Sequence, residues 1–210
     1  MKEKIVTDRL LLVLATRNPG KTREIQELLK GFPVEIKNLD DFGPVAEIEE
    51  DGATFDDNAY KKASFTAKAL GLPALADDSG LEAEALEGAP GVHSARYAGP
   101  NATDAENNAK LLHDMEGKAN RAAAFACVIS IAIPSGVALT YEGRCEGVIA
   151  EAPAGDNGFG YDPLFYYPPL NRTFAQISVE EKNLVSHRGK ALAELKKEFD
   201  KVLVWIRQKL

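Results

Sequence analysis

Cysteine, histidine and long apolar runs are what this sequence has least of. Its 210 residues include two cysteines, three histidines, two methionines and one tryptophan. Cys127 and Cys145 stand far apart in strand-like sequence, which leaves no disulfide framework and reads as two reduced, buried thiols. Cysteine and histidine spacing suited to zinc is missing. No nucleophile-elbow pattern accompanies His93, His113 or His187, so a serine or cysteine hydrolase triad has no support. No apolar run approaches the ~18 residues that a membrane helix needs. Residues 1–9 are charged where a secretory signal would be apolar, so the expected compartment is the cytoplasm and no membrane partner is expected. Positive charge is also short: the formal net charge is -7. That disfavours nonspecific nucleic-acid binding, which rests on many lysine and arginine contacts to phosphates. A small anionic ligand is still allowed, because a few cations converging in a cleft outweigh a negative surface elsewhere.

What is present is an ordinary enzyme-like chain, 45% hydrophobic and 27% charged, of a length for one domain spanning residues 1–210. Residues 10–15 read as a buried strand and 21–30 as a helix stopped by Gly31. A short strand is expected at 34–36 and an acid-rich loop at 40–52. Residues 55–70 form a strong helix pattern that puts Asn58 and Lys62 on one face. Residues 74–76 look like a brief strand whose exit presents Asp77 and Asp78 in a turn. Thr103-x-x-Glu106 is a capping box opening a helix to about Met115. Alternation over 125–133, a Pro134-Ser135-Gly136 turn and a return over 137–149 predict a hairpin. Ser186-His187-Arg188-Gly189 opens a final amphipathic helix. The irregular order of strands and helices predicts an α/β or α+β fold with a mixed sheet.

Chemistry concentrates in three places. Thr16-Arg17-Asn18-Pro19-Gly20-Lys21 follows a strand and opens a helix, where unpaired amides, the helix dipole and Lys21 favour a phosphate. It lacks the two-glycine spacing of a Walker loop. Asp77-Asp78-Ser79-Gly80 presents two acids that either cap backbone amides or hold a metal beside phosphates, since magnesium favours one or two carboxylates plus phosphate oxygens and water. The acids Glu47, Glu49, Glu50 and Asp51 are a solvated face or the source of a second metal ligand. Arg96 is a surface arginine or a brace for an acid or phosphate. Phe159 and Tyr161, set among glycines, either stack on a nucleobase or anchor their loop. His187 beside Arg188 at a helix start suits a carbonyl-bearing or anionic ligand, with Lys182 near enough in sequence to join them.

In this order, Thr16-x-Asn18-x-x-Lys21, Asn58 with Lys62, Ala76-Asp77-Asp78-Ser79-Gly80-Leu81, Gly88-Ala89-Pro90-Gly91, Ser94-Ala95-Arg96-Tyr97, Gly158-Phe159-Gly160-Tyr161-Asp162-Pro163 and Ser186-His187-Arg188-Gly189 span nearly the whole chain. The set closely resembles the inosine triphosphate pyrophosphatase family, the XTP/dITP diphosphatases. The resemblance implies an α/β fold of two lobes around a central elongated mixed sheet flanked by helices, with the active-site cleft between the lobes. It implies a homodimer and the Mg2+-dependent hydrolysis of ITP, dITP and XTP to monophosphate and pyrophosphate. Carried over residue by residue, Thr16, Arg17, Asn18, Pro19, Gly20 and Lys21 bind the triphosphate. Asp78 is the metal-linked proton acceptor, Asp77 assists it, and Lys62 lies near the scissile phosphates. Ser79 contacts the ligand, and Glu49 is the outer metal ligand, with Glu50 and Asp51 as alternatives. Phe159, Gly160, Tyr161, Asp162, Lys182, His187 and Arg188 form the base pocket. Two rivals are a septum-inhibitor-type nucleotide pyrophosphatase, which the Ser-His-Arg-Gly segment disfavours, and a nucleotide sensor without turnover, which the paired acids disfavour.

Overall fold

Successive residues of the first strand are buried on opposite faces, so helices must cover both sides of the sheet. The structure, a computed structural model, describes residues 9–17, 19–46 and 48–210. Its strands are β1 (Leu10–Leu14), β2 (Val34–Asn38), β3 (Ala74–Ala83), β4 (Ala122–Ala132), β5 (Ala138–Ile149), β6 (Phe165–Tyr167) and β7 (Arg172–Thr173). They form one mixed sheet of seven strands in the order β2-β1-β3-β4-β5-β6-β7. β1 runs parallel to β2 and β3, and the remaining pairs are antiparallel. The helices are α1 (Pro19–Leu28), α2 (Phe55–Leu70), α3 (Asp104–Asp114), α4 (Val179–Val185) and α5 (His187–Lys209).

On one face Leu12, Leu14, Leu75, Ile129 and Ile131 pack with Leu195, Phe199 and Val202 of α5 and Ile25 of α1. On the other, Val13, Ala74, Ala76 and Ala132 meet Ala63 and Ala67 of α2. Small residues on both sides of that contact let α2 lie close to the sheet, which brings its polar residues Asn58 and Lys62 to Asp78, midway along β3. Thr54 caps α2 through a capping box and Gly71 ends it in the left-handed region, φ 66°. Thr103 and Glu106 form the box at the start of α3 that the sequence predicts. A third cluster, rich in aromatics, joins Phe125, Phe165 and Phe174 to Leu111 and Met115 at the end of α3.

One expectation is corrected. The strand does not end at Ala76, and Asp77-Asp78-Ser79-Gly80 is not a turn. The chain stays extended to Ala83 because β4 pairs with it from Ala74↔Ala132 to Ala83↔Ala123. The parallel ladder to β1 covers only Ala74 and Leu75. Beyond Leu75 the edge of β3 leaves that ladder; residues 89–94 cover its far part, through Leu81 N–H to Ser94 Oγ and Ala83 N–H to the Ala89 carbonyl, and the polar residues gather around Asp77 and Asp78 in between. The short elements α4, β6 and β7 have no counterpart in the sequence expectations.

Candidate active site

Pleating sends adjacent strand residues to opposite faces, and Asp77 and Asp78 follow that rule with different consequences. Asp77 points toward α1 and α5. Lys21 in the first turn of α1 reaches its Oδ1 at 2.9 Å, and the Arg188 guanidinium donates to Oδ2 at 3.0 Å. Ser79, two residues along on the same face, donates to the same oxygen at 3.3 Å, and Arg188 also donates to Ser79 Oγ at 3.3 Å. Burial alone would raise the Asp77 pKa, but Lys21 and Arg188 overcome it and hold the carboxyl far below the ordinary carboxylate range.

Asp78 points toward α2. Lys62 Nζ lies 3.0 Å from its Oδ1 and 2.7 Å from Glu50 Oε1, so one ammonium bridges two carboxylates. Asn58, fully buried, donates to Asp78 Oδ2 at 3.2 Å and accepts from the Gly52 amide at 2.8 Å. Burial dominates at Asp78: its pKa is raised, with the negative charge of Glu50 adding to the rise and Lys62 and Asn58 opposing it. Lys62 loses charge stability to burial but regains more from Asp78 and Glu50, so its pKa is raised too. Arg96, carried on the 3-10 segment Gly91–Arg96, donates to the Glu50 carbonyl at 2.8 Å. Its surface-or-brace alternatives thus resolve geometrically to a brace.

These groups line two neighbouring chambers that share Lys21, Glu50 and Lys62 in their walls. The chamber of about 300 Å³ is bordered by Thr16, Arg17 and Asp77. Arg17 pairs there with Asp40 at 2.7 Å. The chamber of about 290 Å³ is bordered by Asp78, Ser79, Phe159, Gly160, Tyr161, Asp162, Lys182, His187 and Arg188. Lys21, Asp78 and Arg188 therefore face one cavity. Pro19 and Gly20 form the first positions of α1 beside it, and Asn18 lies outside the described residues.

The second chamber has an aromatic wall. His187 stacks on Phe125 with ring centroids 4.7 Å apart and planes 14° apart. Burial, reinforced by Arg188 and Lys182, depresses the His187 pKa well below its usual value, so the imidazole is neutral near pH 7. Its buried Nδ1 has no hydrogen-bond partner among the described residues. The first turn of α5 reaches the sheet only because β5 carries Gly143 there: a Cβ would stand 2.1 Å from the His187 carbonyl oxygen. Gly189 is equally constrained: a Cβ there would stand 1.8 Å from the Asn183 carbonyl oxygen of α4. Both close approaches set where His187 and Arg188 point.

The two loop aromatics divide the roles that the sequence leaves open. Tyr161 is buried and donates to the Ser94 carbonyl at 2.9 Å, which makes it an anchor. Phe159 is 55% exposed at the cavity mouth, with Lys182 Nζ 4.7 Å and the Arg188 guanidinium 5.9 Å from its ring centre. Asp162 accepts from both the Phe159 amide and Lys182.

Glu49 is exposed and borders neither chamber, whereas Glu50 borders both. No signal in a run of acids distinguishes the two; the Lys62 and Arg96 contacts do. Phe125, Asp104 and Asn107 also line the cavity without having been picked out by sequence. Phe125 reads only as strand core, and Asp104 only as a helix start. Among the described residues no group of three or more acidic, histidine or cysteine ligands gathers on one point. The donor set instead suits an oxygen-seeking cation that arrives with phosphates: two carboxylates, Asp78 and Glu50, converge on one positive charge.

The chain is similar to known proteins in both sequence and fold. A family model described as the Ham1 family matches residues 12–198. A dITP/XTP pyrophosphatase of Syntrophobacter fumaroxidans is 64% identical over 95% of this chain and 86% of its own. One of Desulfotalea psychrophila is 60% identical over 95% of this chain and 90% of its own. The solved structure of a HAM1 protein from Coxiella burnetii superposes with a TM-score of 0.88 at 47% identity, covering 91% of this chain and 99% of that one. In sequence and in fold, this chain belongs to the Ham1 family.

Proposed function

We propose that this protein hydrolyses deaminated purine nucleoside triphosphates, ITP, dITP and XTP, to the monophosphate and pyrophosphate. The observation that carries the reading is that Lys21, Asp78 and Arg188 border one cavity whose far wall is aromatic. The names of the relatives point to the same substrates.

The triphosphate lies along the chamber bordered by Thr16, Arg17 and Lys21, with Lys62 at the junction. Each cation paired across this region already faces a carboxylate: Lys21 with Asp77, Lys62 with Asp78 and Glu50, Arg17 with Asp40. A polyanion that recruits these cations leaves the carboxylates uncompensated, which favours a divalent cation entering with it. Asp78 and Glu50 would hold Mg2+, which supplies charge neutralisation of the phosphate oxygens when bound.

Asp78 accepts the proton of the attacking water. The water oxygen bonds to the α-phosphorus as the bond to the bridging oxygen breaks and pyrophosphate leaves. Of the two aspartates, Asp78 fits this role better, because Lys21 and Arg188 pair with Asp77 and hold it ionised. Lys21 and Lys62 oppose the charge that builds on the phosphates.

Phe159 stacks on the base, and Lys182, Arg188 and the neutral His187 read its edge. Cationic donors welcome a 6-oxo group and meet other donors on a 6-amino group, which disfavours ATP. The family resemblance also supports a cytoplasmic homodimer, which sedimentation would check. Incubation with Mg2+ and ITP, XTP, dITP, GTP, ATP or dTTP tests the main reading. Pyrophosphate is expected from the first three; orthophosphate, or no turnover of any of them, overturns it.

A further inference from the structure

The loop that carries Phe159 is held at its tip by a helix with no other stated role. The Gly160 amide donates to Asp104 Oδ2 at 2.7 Å, and the Gly160 carbonyl accepts from Asn108 Nδ2, also at 2.7 Å. Both partners stand on α3, one turn apart. Asn108 Nδ2 donates as well to the Asp104 carbonyl at 2.7 Å. With two acceptors facing one amide group, its nitrogen must point at them, and its buried Oδ1 is left without a partner among the described residues. The helix itself is firmly seated. Buried Asn107 accepts from the Ala98 amide at 2.8 Å and donates to the Ala95 carbonyl at 3.2 Å, while Leu111 and Met115 sit in the aromatic cluster.

We infer that Asp104 and Asn108 are positioning residues for purine selection, clamping both sides of the Gly160 peptide so that Phe159 and Asp162 stay set for the base. Gly160 adopts φ 61°, and a side chain there would meet nothing within 4 Å, so local packing does not hold the tip. On either side of it the loop is tied elsewhere: Tyr161 to the Ser94 carbonyl, and the Asn157 amide to the Ala175 carbonyl at 3.0 Å. Phe159 is tied to Asp162 within the loop, its amide to Oδ2 at 3.0 Å and its carbonyl to the Asp162 amide at 3.2 Å, so releasing Gly160 loosens this turn from α3 as a unit without detaching the loop. The hydrogen bonds of the clamp join α3 to the loop and not to α1, α2 or β3, which build the phosphate end. The inference rests on the proposed activity, because it assigns base selection to that site.

The test measures KM and kcat for ITP, the ITP-to-ATP ratio of kcat/KM, and inhibition by inorganic pyrophosphate, in the wild type and in Asn108→Ala, Asp104→Ala and Asp104→Asn. For the two alanine variants, KM for ITP is expected to rise about three- to tenfold, the size of one lost hydrogen bond, and the ITP-to-ATP ratio to fall. Their kcat and pyrophosphate inhibition should stay within about twofold, since neither hydrogen bond reaches the phosphate end. Asp104→Asn keeps an acceptor for the Gly160 amide and should restore most of the KM. An unchanged KM and ratio in both alanine variants overturns the clamp. So does a parallel loss of KM, kcat and pyrophosphate inhibition, which marks general loosening. Failure of the wild type to release pyrophosphate from ITP defeats the proposed function and this inference together; an active wild type with unaffected variants defeats only the clamp.

Discussion

The two ends of the cleft are built on opposite physical plans. At the carboxylate end, long charged side chains from α1, α2 and α5 meet the edge of β3 and neutralise one another pair by pair. At the aromatic end, rings and backbone carbonyls do the holding: His187 lies on Phe125, and Tyr161 and Gly160 are tied through main-chain groups. The first plan keeps charges ready to be exchanged for those of a ligand. The second fixes a shape. Asp77 and Asp78 show how fine the division is, since neighbours on one strand acquire opposite shifts from the elements facing them.

The largest effect should come from separating the two aspartates. Asp78→Asn removes the proton acceptor and should lower kcat by about 10³-fold, within the range of general-base catalysis, while ITP still binds. Near-normal turnover would take Asp78 out of that role. Asp77→Ala strikes structure instead. It leaves Lys21 and Arg188 without their shared anion, a loss of about 3–5 kcal/mol for a broken buried pair. The melting temperature should drop by about 10 °C, at the few degrees per kcal/mol expected of a chain this size. A melting curve that matches the wild type would show that Asp77 is not the keystone of the cation pair.

At the aromatic end, Arg188→Ala should cut the preference for ITP over ATP about tenfold, the worth of one charge-assisted hydrogen bond. An unaltered ratio would move base reading to Lys182 and His187. The smallest effect should appear in stability against pH. The folded-state pKa of His187 is depressed, so the native protein binds fewer protons and stability falls as pH drops below the unfolded value of about 6.5. Asp77 adds a second loss below about 3.9, again because its folded pKa is depressed. The raised Asp78 runs the other way, its contribution being present at low pH and lost as pH rises through its folded pKa. Melting curves from pH 7 to 5 should therefore slope downward for the wild type and flatten in His187→Asn; parallel curves would contradict the burial argument.

Helix α2 was legible to the residue, because its apolar spacing and the glycine that follows it are local signals. The Thr103 box and the β4–β5 hairpin were legible too, although β4 begins at Ala122, three residues before the expected start. Asp77-Asp78-Ser79-Gly80 misled, because acids, serine and glycine together are what turns are made of. Only pairing with β4, remote in sequence, keeps them extended. Glu50 could not be told from Glu49, since adjacent acids differ only in what they face. Asp104 and Asn108 looked like ordinary helix surface for the same reason: their partner, Gly160, lies more than fifty positions along the chain.

The chain's own order of residues determined which groups are available and where its helices and strands begin, since caps, glycine stops and hydrophobic period act over a few positions. Folding decided which charges meet. Whether an aspartate is pinned ionised or left with an affinity for protons depends on cations delivered by distant helices, and no local pattern encodes that distance.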